Sequence, residues 1–550
     1  MARAVGIDLG TTYSAVAVLD DAGIPVILRN ATGGSTTESV VLFEHSGGAD
    51  TPIVGGIAKR QAGVRPDDVV QHVKRYMGDP SWRFDSATDV QYRPEEISAI
   101  ILRALVRDAE AALGEPISDV VITVPAYFDD SRRTATQQAG AIAGLNVLRV
   151  LNEPTAAALA YGLGTDEDGT VLVYDLGGGT FDVSILGIEG RSFTTLATDG
   201  DRNLGGFDWD NALMKLVVGE LESVHGVTDF YDDVDAVAEL REKAEHAKRA
   251  LSTVDSTSIQ LSFRGGHYSV AVTREQFEAA SRSLLRRTQE LVEDTLDASG
   301  LDWEDISSVL LVGGSTRMPA VRALMDRISG IAPVEGVDPD EAVALGAAIQ
   351  AALSGGESTA PGLAGVEIAD VTSHALGTIA LDEDDNPRNW LIIAKNTKIP
   401  ADGMDVLTTI HPSTEVHIRV TQGDDPDVDF VTEIGHGVVQ LSEEWPAGTA
   451  FALVYRYDID QTVTVEIYRM PDEEYVGAFE IDRVANLTEA KVAEAAEKLE
   501  RLEVAAPLVA PVPSMATKPA EMPRLAPLGT TTHEHGQALL QQPAADGARN

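Results

Sequence analysis

The strongest constraint on the fold is a short segment that occurs twice in the chain of 550 residues. Residues 7–14 (IDLGTTYS) recur as residues 174–181 (YDLGGGTF), and in each copy a short apolar run delivers an aspartate to a turn of Gly and Thr. Such small residues expose backbone N–H groups and hydroxyls that can bind an anion. Two of these turns facing each other would hold a polyphosphate from both sides.

Each copy taken alone is equally consistent with an ordinary turn at the end of a strand. Because two copies occupy equivalent places in two α/β halves, we interpret them as phosphate loops, with Asp8 and Asp175 as ligands of a hydrated Mg²⁺. The Walker pattern G-x-x-x-x-G-K-[S/T] does not occur, so the phosphate cradle would be of another class. A third glycine turn at 311–317 (LVGGSTR) would let the backbone approach a flat base on which Arg317 could stack.

The front of the chain alternates strand and helix patterns, and a smaller back part does not. Residues 371–483 alternate apolar and polar side chains between turns, which predicts an all-β domain. In the front part, strands interleaved with helices predict α/β layers. The buried strands are expected at 120–124, 171–174 and 309–312, and the helices at 95–113 and 274–296.

Three segments connect or follow these parts. The small residues at 354–362 are typical of a flexible linker. Residues 486–489 (NLTE) resemble a capping box, and the apolar stripe that follows predicts one short helix. The stretch 505–550 holds 7 of the 25 prolines and cannot bury enough apolar surface to fold, so it is predicted to be disordered.

Composition excludes several classes of function. The chain has 42 Lys and Arg against 87 Asp and Glu, for a formal net charge of −45, and it has no cysteine. The negative charge opposes binding to the phosphate backbones of nucleic acids. The lack of cysteine excludes disulfides and catalysis by a thiol. We find neither a signal-peptide pattern nor an apolar run long enough to span a bilayer, so a cytoplasmic protein without membrane contact is expected.

Long motifs in the front part make the chain recognisable. It resembles the heat shock protein 70 (DnaK-type) chaperone family, as a divergent member with a truncated C-terminal lid. The resemblance is specific over about residues 4–353 and weaker but collinear over 371–485. The motifs that carry it are 121–128 (VITVPAYF), 152–163 (NEPTAAALAYGL), 175–184 (DLGGGTFDVS), 311–319 (LVGGSTRMP) and 338–352 (DPDEAVALGAAIQAA).

The resemblance implies an order of domains. It implies a two-lobed actin-like (ribonuclease H-like) α/β ATPase domain over 1–353, a linker over 354–370 and a small β-sandwich resembling a peptide-binding domain over 371–485. A short helix at 486–504 would be the remnant of the lid, and the tail at 505–550 would be disordered.

The resemblance also assigns site residues for Mg-ATP, with K⁺ as a possible further ion. The catalytic set would be Lys74, Glu153, Asp175, Thr180 and Asp182, with Asp8 and Asp175 at the metal. The phosphate loops would be Gly10, Thr11, Thr12 and Tyr13, and Gly177, Gly178, Gly179 and Thr180. Adenosine would lie against Glu245, Lys248, Arg249, Ser252, Gly313, Gly314, Ser315, Arg317 and Asp340. Without the resemblance, the face formed by Glu245, Lys248, Arg249 and Ser252 reads as an ordinary solvated helix.

Partners follow from the same resemblance. Pro125 and Arg133 match the relay from the nucleotide to the second domain, and Arg149 and Asp370 match positions that dock J-domain co-chaperones. The implied clients are unfolded or extended polypeptides, a nucleotide exchange factor is a possible partner, and a monomer is expected. Arg149 alone is equally consistent with an ordinary surface cation.

Three departures from the family pattern bear on coupling and on client binding. The linker at 366–370 (VEIAD) lacks the family's leucine run, which predicts weaker apolar docking and softer coupling. The loop at 382–385 (DEDD) replaces apolar pocket residues, so it is either a solvated turn or a contact for a basic client. Only 486–504 has a helical pattern after the β-domain, so a full lid is not expected.

We therefore expect an ATP-hydrolysing chaperone in which hydrolysis alters the grip of the β-domain on extended polypeptide. An alternative is a nucleotide-gated adaptor or exchange factor of the same family without peptide-folding activity. A sugar kinase of the same fold is disfavoured, because the chain matches the chaperone's β-domain.

Overall fold

The structure is a computed structural model that describes residues 3–46, 48–164, 168–356, 363–382, 384–459, 461–481, 485–502 and 504–505. The predicted disordered tail, apart from Ala505, lies outside the described residues, and so do residues 357–362 of the predicted linker.

The first lobe is built on a mixed sheet with strand order β11-β10-β1-β2-β3, and β4 pairs with β2. Its core is formed by the apolar face of the sheet and the helices α2 and α3. The elements of this part of the chain are the strands Val5–Asp8 (β1), Tyr13–Leu19 (β2), Pro25–Leu28 (β3), Thr37–Glu38 (β4), Val41–Ser46 (β5), Ala49–Val54 (β6), Val69–Val70 (β7), Phe84–Asp85 (β8), Gln91–Tyr92 (β9), Asp119–Val124 (β10) and Asn146–Asn152 (β11), and the helices Gly56–Gln61 (α1), Pro94–Leu113 (α2), Asp130–Ile142 (α3) and Glu153–Gly162 (α4).

The second lobe repeats the plan of the first. Its sheet has the order β17-β12-β13-β14, with β12 antiparallel to β13 and parallel to β17, as β1 is antiparallel to β2 and parallel to β10. The two aspartate turns therefore leave equivalent strands of two similar sheets, which explains the internal repeat. The elements are the strands Gly169–Leu176 (β12), Phe181–Glu189 (β13), Ser192–Asp201 (β14), Ser256–Phe263 (β15), Gly266–Thr273 (β16) and Ser308–Val312 (β17), and the helices Gly206–His225 (α5), Val234–Leu251 (α6), Arg274–Ser299 (α7), Pro319–Ser329 (α8) and Ala342–Ser354 (α9).

The back part is a sandwich of two antiparallel sheets, with strand orders β20-β19-β22-β23 and β21-β24-β25-β26. Apolar residues of both sheets, such as Val420 and Tyr455, meet in one core. The strands are Leu376–Leu381 (β19), Pro387–Ile393 (β20), Ala401–Thr408 (β21), Ser413–Gln422 (β22), Thr432–Trp445 (β23), Ala450–Tyr457 (β24), Val463–Arg469 (β25) and Glu474–Glu480 (β26); Glu367–Ala369 (β18) precedes them. The predicted fold class, two actin-like lobes followed by a β-sandwich, is confirmed.

Part of the predicted linker is an edge strand. β18 pairs in parallel with β14 of the second lobe, with Ile368 opposite Phe193. Ile368 and Val366 also pack against the apolar core between the lobes. Backbone pairing therefore attaches the linker to the second lobe, although the leucine run of the family is missing. The weaker apolar docking expected from the sequence stays a prediction.

The helix Glu489–Glu500 (α10) packs on the first lobe. Its apolar stripe, including the buried Ala495 and Leu499, joins the core of that lobe. Lys498 pairs with Glu96 at 2.7 Å, and Arg103 donates a hydrogen bond of 2.6 Å to the carbonyl of Leu499. The helix is thus attached by apolar and charged contacts together.

The capping box predicted at 486–489 is wrong. The N-cap is Thr488, which makes no side-chain cap hydrogen bond, and the helix begins at Glu489. The Asn486 amide instead donates a hydrogen bond of 2.8 Å to the carbonyl of Ser131 in the first lobe. A tertiary contact therefore takes the side chain that the local pattern assigned to the cap.

Replacing Leu499 with alanine should loosen α10 from the first lobe. Leu499 is 2% exposed, and truncating a buried leucine costs about 2–5 kcal/mol. We expect faster amide hydrogen exchange across α10, while exchange in the main sheets of the two lobes stays unchanged. Glu500→Ala, at an exposed neighbouring position, is the control, and equal exchange in both variants would contradict the docking.

Within the described residues, none of the helices combines the length and apolar character needed to cross a membrane.

Candidate nucleotide site

A cavity of about 1010 Å³ lies between the two lobes. Nearly all the predicted site residues line it, and Gly179 and Asp182 are the exceptions. The predicted residues at its wall are Asp8, Gly10, Thr11, Thr12, Tyr13, Lys74, Glu153, Asp175, Gly177, Gly178, Thr180, Glu245, Lys248, Arg249, Ser252, Gly313, Gly314, Ser315, Arg317 and Asp340.

The two aspartate turns meet across the cleft. A Cβ atom built on Gly178 would lie 2.0 Å from Oγ1 of Thr12, and one on Gly179 would lie 2.6 Å from Cγ2 of Thr11. The second turn is closed by a hydrogen bond of 3.1 Å from the Gly177 N–H to the Thr180 carbonyl. The lack of side chains at 178 and 179 is therefore what allows the two turns to approach.

The carboxyl groups of Asp8, Asp175 and Asp182 lie near the two aspartate turns. Burial and the charge of Glu153 raise the pKa of Asp8 to about 7, and they also raise the pKa of Asp175 well above its usual range. The same two causes raise the pKa of Asp182 to about 8. The Tyr127 N–H donates a hydrogen bond of 2.8 Å to Oδ1 of Asp182, while Oδ2 is buried without a hydrogen-bond partner. Buried carboxylates that repel each other favour a cation between them.

These residues fit a hydrated magnesium ion. Among the residues that the structure describes, no group of three or more His, Cys, Asp or Glu side chains is arranged to enclose a metal. Asp8 and Asp175 supply two carboxylates at the cavity wall, and Mg²⁺ commonly keeps waters and takes one or two carboxylates together with phosphate oxygens.

Lys74 lies beside these carboxylates. It sits in a short 3₁₀ turn, Val73–Tyr76, and its ammonium contacts Oε1 of Glu153 at 2.5 Å. Glu153 is the first residue of α4, so a helix fixes its position. Both side chains are nearly buried, so this ion pair is held in place at the end of the cavity that Asp8 and Asp175 line.

A charged face of α6 forms the opposite end. The Glu245 carboxylate accepts hydrogen bonds from Lys59 of α1 at 2.6 Å and from Arg249 at 2.8 Å. Burial opposes ionisation of Glu245, but these cations, Lys59 first, lower its pKa to about 2. Lys248 contacts Asp210 at 2.8 Å. The predicted residues of α6 therefore face the cavity within a network of ion pairs.

The third glycine turn closes the cavity on the second lobe. Gly313 has a φ of +80°, and a Cβ atom there would lie 2.4 Å from the carbonyl oxygen of Leu176, so a side chain would not fit. Ser315 donates a hydrogen bond of 2.9 Å to the Gly177 carbonyl. Arg317 pairs with Asp340 at 2.7 Å, so its guanidinium is held at the rim.

Sequence reasoning missed Lys59, His72 and Phe207. His72 and Phe207 line the cavity, and burial, with the charge of Lys59, lowers the pKa of His72 to about 3. Lys59 and Glu245 are 186 residues apart in the chain. No spacing rule could have found these contacts; the unusual left-handed φ of His72, +56°, is visible in the structure alone.

The predicted relay residues connect the cavity with the linker. Arg133 is buried and donates to the Asn152 side-chain oxygen, and the Asn152 amide donates to Asp370 at 2.6 Å. Asp370 is 4% exposed and lies within this network, and its expected role in docking a J-domain protein stays a prediction. Arg149 contacts Gln350 at 3.1 Å.

The β-sandwich contacts residues 126 and 127 of the first lobe. Ser373 donates a hydrogen bond of 2.5 Å to the Ala126 carbonyl, and the His374 ring packs 4.3 Å from that of Tyr127. Tyr127 is the residue whose N–H holds Asp182. Residues 125–128 therefore lie between a buried carboxylate of the site and the β-sandwich.

The acidic loop at 382–385 is the turn of a hairpin between β19 and β20. Asp382 accepts hydrogen bonds of 2.9 Å from the N–H groups of Asp384 and Asn386, and it pairs with Arg388 at 2.9 Å. Asp384 and Asp385 are exposed, and Asp382 is partly buried. This local bonding is that of a solvated turn.

Comparisons with known proteins agree with this architecture. A family model described as Hsp70 protein matches residues 4–505. The chain is 42% identical over 492 residues to the chaperone protein DnaK of Deinococcus radiodurans, which covers 84% of this chain and 76% of that protein. It is 43% identical over 492 residues to the chaperone protein DnaK of Deinococcus proteolyticus, which covers 84% of this chain and 75% of that protein.

Proposed function

The chain belongs to the Hsp70 family, and we propose that it hydrolyses Mg-ATP in the cleft and couples hydrolysis to the binding and release of extended polypeptide. The observation that carries this proposal is the group of Lys74, Glu153, Asp8 and Asp175 at one end of a cavity between two paired glycine turns, with the buried carboxyl of Asp182 beside them. We further propose cytoplasmic action and K⁺ as an additional ion.

Hydrolysis adds a water oxygen to the γ-phosphorus, breaks its bond to the bridging oxygen, and yields ADP, phosphate and one proton. Positioning and charge neutralisation supply most of the catalysis in such reactions. Asp8 and Asp175 would hold a magnesium ion, which when bound would neutralise phosphate charge. Lys74 and the Thr180 hydroxyl would contact the γ-phosphate, and Glu153 keeps Lys74 in place.

We propose that Asp182 binds the attacking water and accepts its proton. Burial and the charge of Glu153 raise the pKa of Asp182 to about 8, so the carboxyl holds a proton at neutral pH until a nearby cation lowers that pKa and frees it to act as a base. Its Oδ1 accepts the hydrogen bond from the Tyr127 N–H, so the water would bind Oδ2, which is buried outside the cavity wall and would have to become accessible when the site is occupied.

Coupling would pass through residues 125–128. The Tyr127 N–H holds Asp182, and Ser373 of the β-sandwich holds the adjacent carbonyl of Ala126. A client that moved the sandwich would therefore move a backbone segment that orients Asp182. We propose that the client is extended polypeptide held partly by main-chain hydrogen bonds, as at strand edges.

The deciding experiment measures the steady-state ATPase rate alone, with an unfolded peptide and with a J-domain protein. Stimulation by either supports the chaperone. ATP binding and hydrolysis without stimulation by either would instead favour the nucleotide-gated adaptor or exchange factor. Lack of ATP binding would overturn both.

Asp370→Ala should uncouple the domains. The substitution removes the carboxylate that accepts from Asn152 and from the Val371 N–H, and it leaves the cavity wall intact. We expect a basal ATPase rate within about threefold of wild type and loss of most peptide stimulation. Asp385→Ala, in the exposed hairpin turn, is the control. Wild-type stimulation in Asp370→Ala would refute this role.

A further inference from the structure

An aromatic ring bridges the two lobes beside the nucleotide cavity. Phe207 is the second residue of α5 in the second lobe, and it is partly buried at the cavity wall. The edge of the His72 ring, in the first lobe, meets it with centroids 4.9 Å apart and planes at 63°. This geometry is favourable for an aromatic pair.

Two guanidinium groups also lie over Phe207. Arg75 of the first lobe is 4.8 Å from the ring centroid, and Arg241 of α6 in the second lobe is 4.4 Å away. Arg75 also donates a hydrogen bond of 2.7 Å to the carbonyl of Asn203 and pairs with Asp208 at 3.2 Å. The contacts of His72 and Arg75 cross the cleft, whereas that of Arg241 stays within the second lobe.

These contacts are joined to both phosphate-binding elements of the site. The Phe207 N–H donates a hydrogen bond of 2.8 Å to the carbonyl of Gly178 in the second aspartate turn. On the other side, His72 caps the 3₁₀ turn that carries Lys74, and Arg75 follows Lys74 directly. Opening the cleft would therefore separate Phe207 from His72 and Arg75 and withdraw Lys74 from the turn that contains Gly178.

We propose that His72, Arg75 and Phe207 form an interlobe clasp that slows the release of nucleotide from the cleft. The proposal rests on the proposed function only in requiring that ADP bind in this cavity. It adds positioning residues that act through lobe closure. Cation–π and aromatic pairs of this kind are modest one by one, but two of them must break together before the cleft opens.

The test is the rate at which a fluorescent ADP analogue leaves the full chain, with Mg²⁺ present, after a chase with excess ATP. Phe207→Ala is expected to release the analogue about tenfold faster than wild type. Phe207→Leu keeps an apolar side chain but lacks the π face, so it should also release the analogue faster than wild type. This variant replaces Phe207→Ala in the test if Phe207→Ala does not fold. Arg241→Ala leaves both cross-lobe contacts and should stay within about twofold of wild type.

A double-mutant cycle separates a clasp from independent effects. If His72 acts through Phe207, His72→Ala should add little to Phe207→Ala, although it accelerates release alone. Wild-type release rates in both folded Phe207 variants, or additive effects in the cycle, would overturn the clasp. Neither result would contradict the binding of ADP in the cleft. A wild-type chain that binds no ADP would overturn the proposed function itself, and the clasp with it.

Discussion

Lys74→Ala is expected to stop ATP turnover while ATP still binds. The ammonium of Lys74 is the nearly buried positive charge at the end of the cavity where Asp8, Asp175 and Glu153 meet. Removing a fixed charge that stabilises the transition state typically costs about 100- to 1000-fold in rate. The measurement is single-turnover hydrolysis of ATP at saturating enzyme, with ATP affinity determined separately by calorimetry.

Lys248→Ala is the matched control, because Lys248 lies on the α6 side of the same cavity and contacts Asp210. For Lys248→Ala we expect weaker ATP binding and a nearly normal single-turnover rate of hydrolysis at saturating enzyme. A normal hydrolysis rate in Lys74→Ala would remove the catalytic role that we propose for this lysine. Loss of ATP binding together with loss of the folded state would point to the Lys74–Glu153 pair as a structural element.

The parts of the site that could be predicted from the sequence are those fixed by local chemistry. An apolar strand, an aspartate and a turn of small residues stand next to each other in the chain, so the turns at Asp8 and Asp175 are visible in the sequence. Their repetition also indicated equivalent places in two α/β halves, and β1 and β12 do occupy equivalent places in two sheets.

What could not be predicted depends on contacts between distant segments. Lys59 reaches Glu245 across the cleft, and Phe207 meets His72, and neither contact leaves a periodic signal. The capping box failed for the same reason, since Asn486 bonds to Ser131 of the first lobe. The linker shows a further limit: its side chains suggested poor docking, whereas backbone pairing of β18 with β14 needs no particular side chains.

The net charge of −45 also changes meaning once the carboxyl groups are located. Some of them, such as Asp384 and Asp385, are exposed in a hairpin turn, and they bear on solubility. Asp8, Asp175 and Asp182 are buried, and burial together with neighbouring carboxylates raises their pKa values, a cost that a cation bound at Asp8 and Asp175 would offset, as we propose. Placement, more than the total charge, therefore determines what the acidic residues can do.

Gly178→Ala is expected to lower ATP affinity at least about 100-fold, which corresponds to roughly 2.7 kcal/mol. The new methyl group would lie 2.0 Å from Oγ1 and 3.0 Å from Cβ of Thr12, so rotation of the Thr12 side chain alone cannot make room. The two turns would have to separate, and a polyphosphate held between them would lose contacts on one side. Calorimetric titration with Mg-ATP measures the effect.

Two comparisons test whether the approach of the turns is the cause. A Cβ atom on Gly177 would have its nearest neighbour at 3.6 Å, so Gly177→Ala should leave the spacing of the turns unchanged and weaken binding far less. Combining Gly178→Ala with Thr12→Gly removes the clashing side chain and should restore part of the affinity lost in Gly178→Ala. If the double variant binds no better than Gly178→Ala, the close contact of the two turns does not explain the need for glycine at 178.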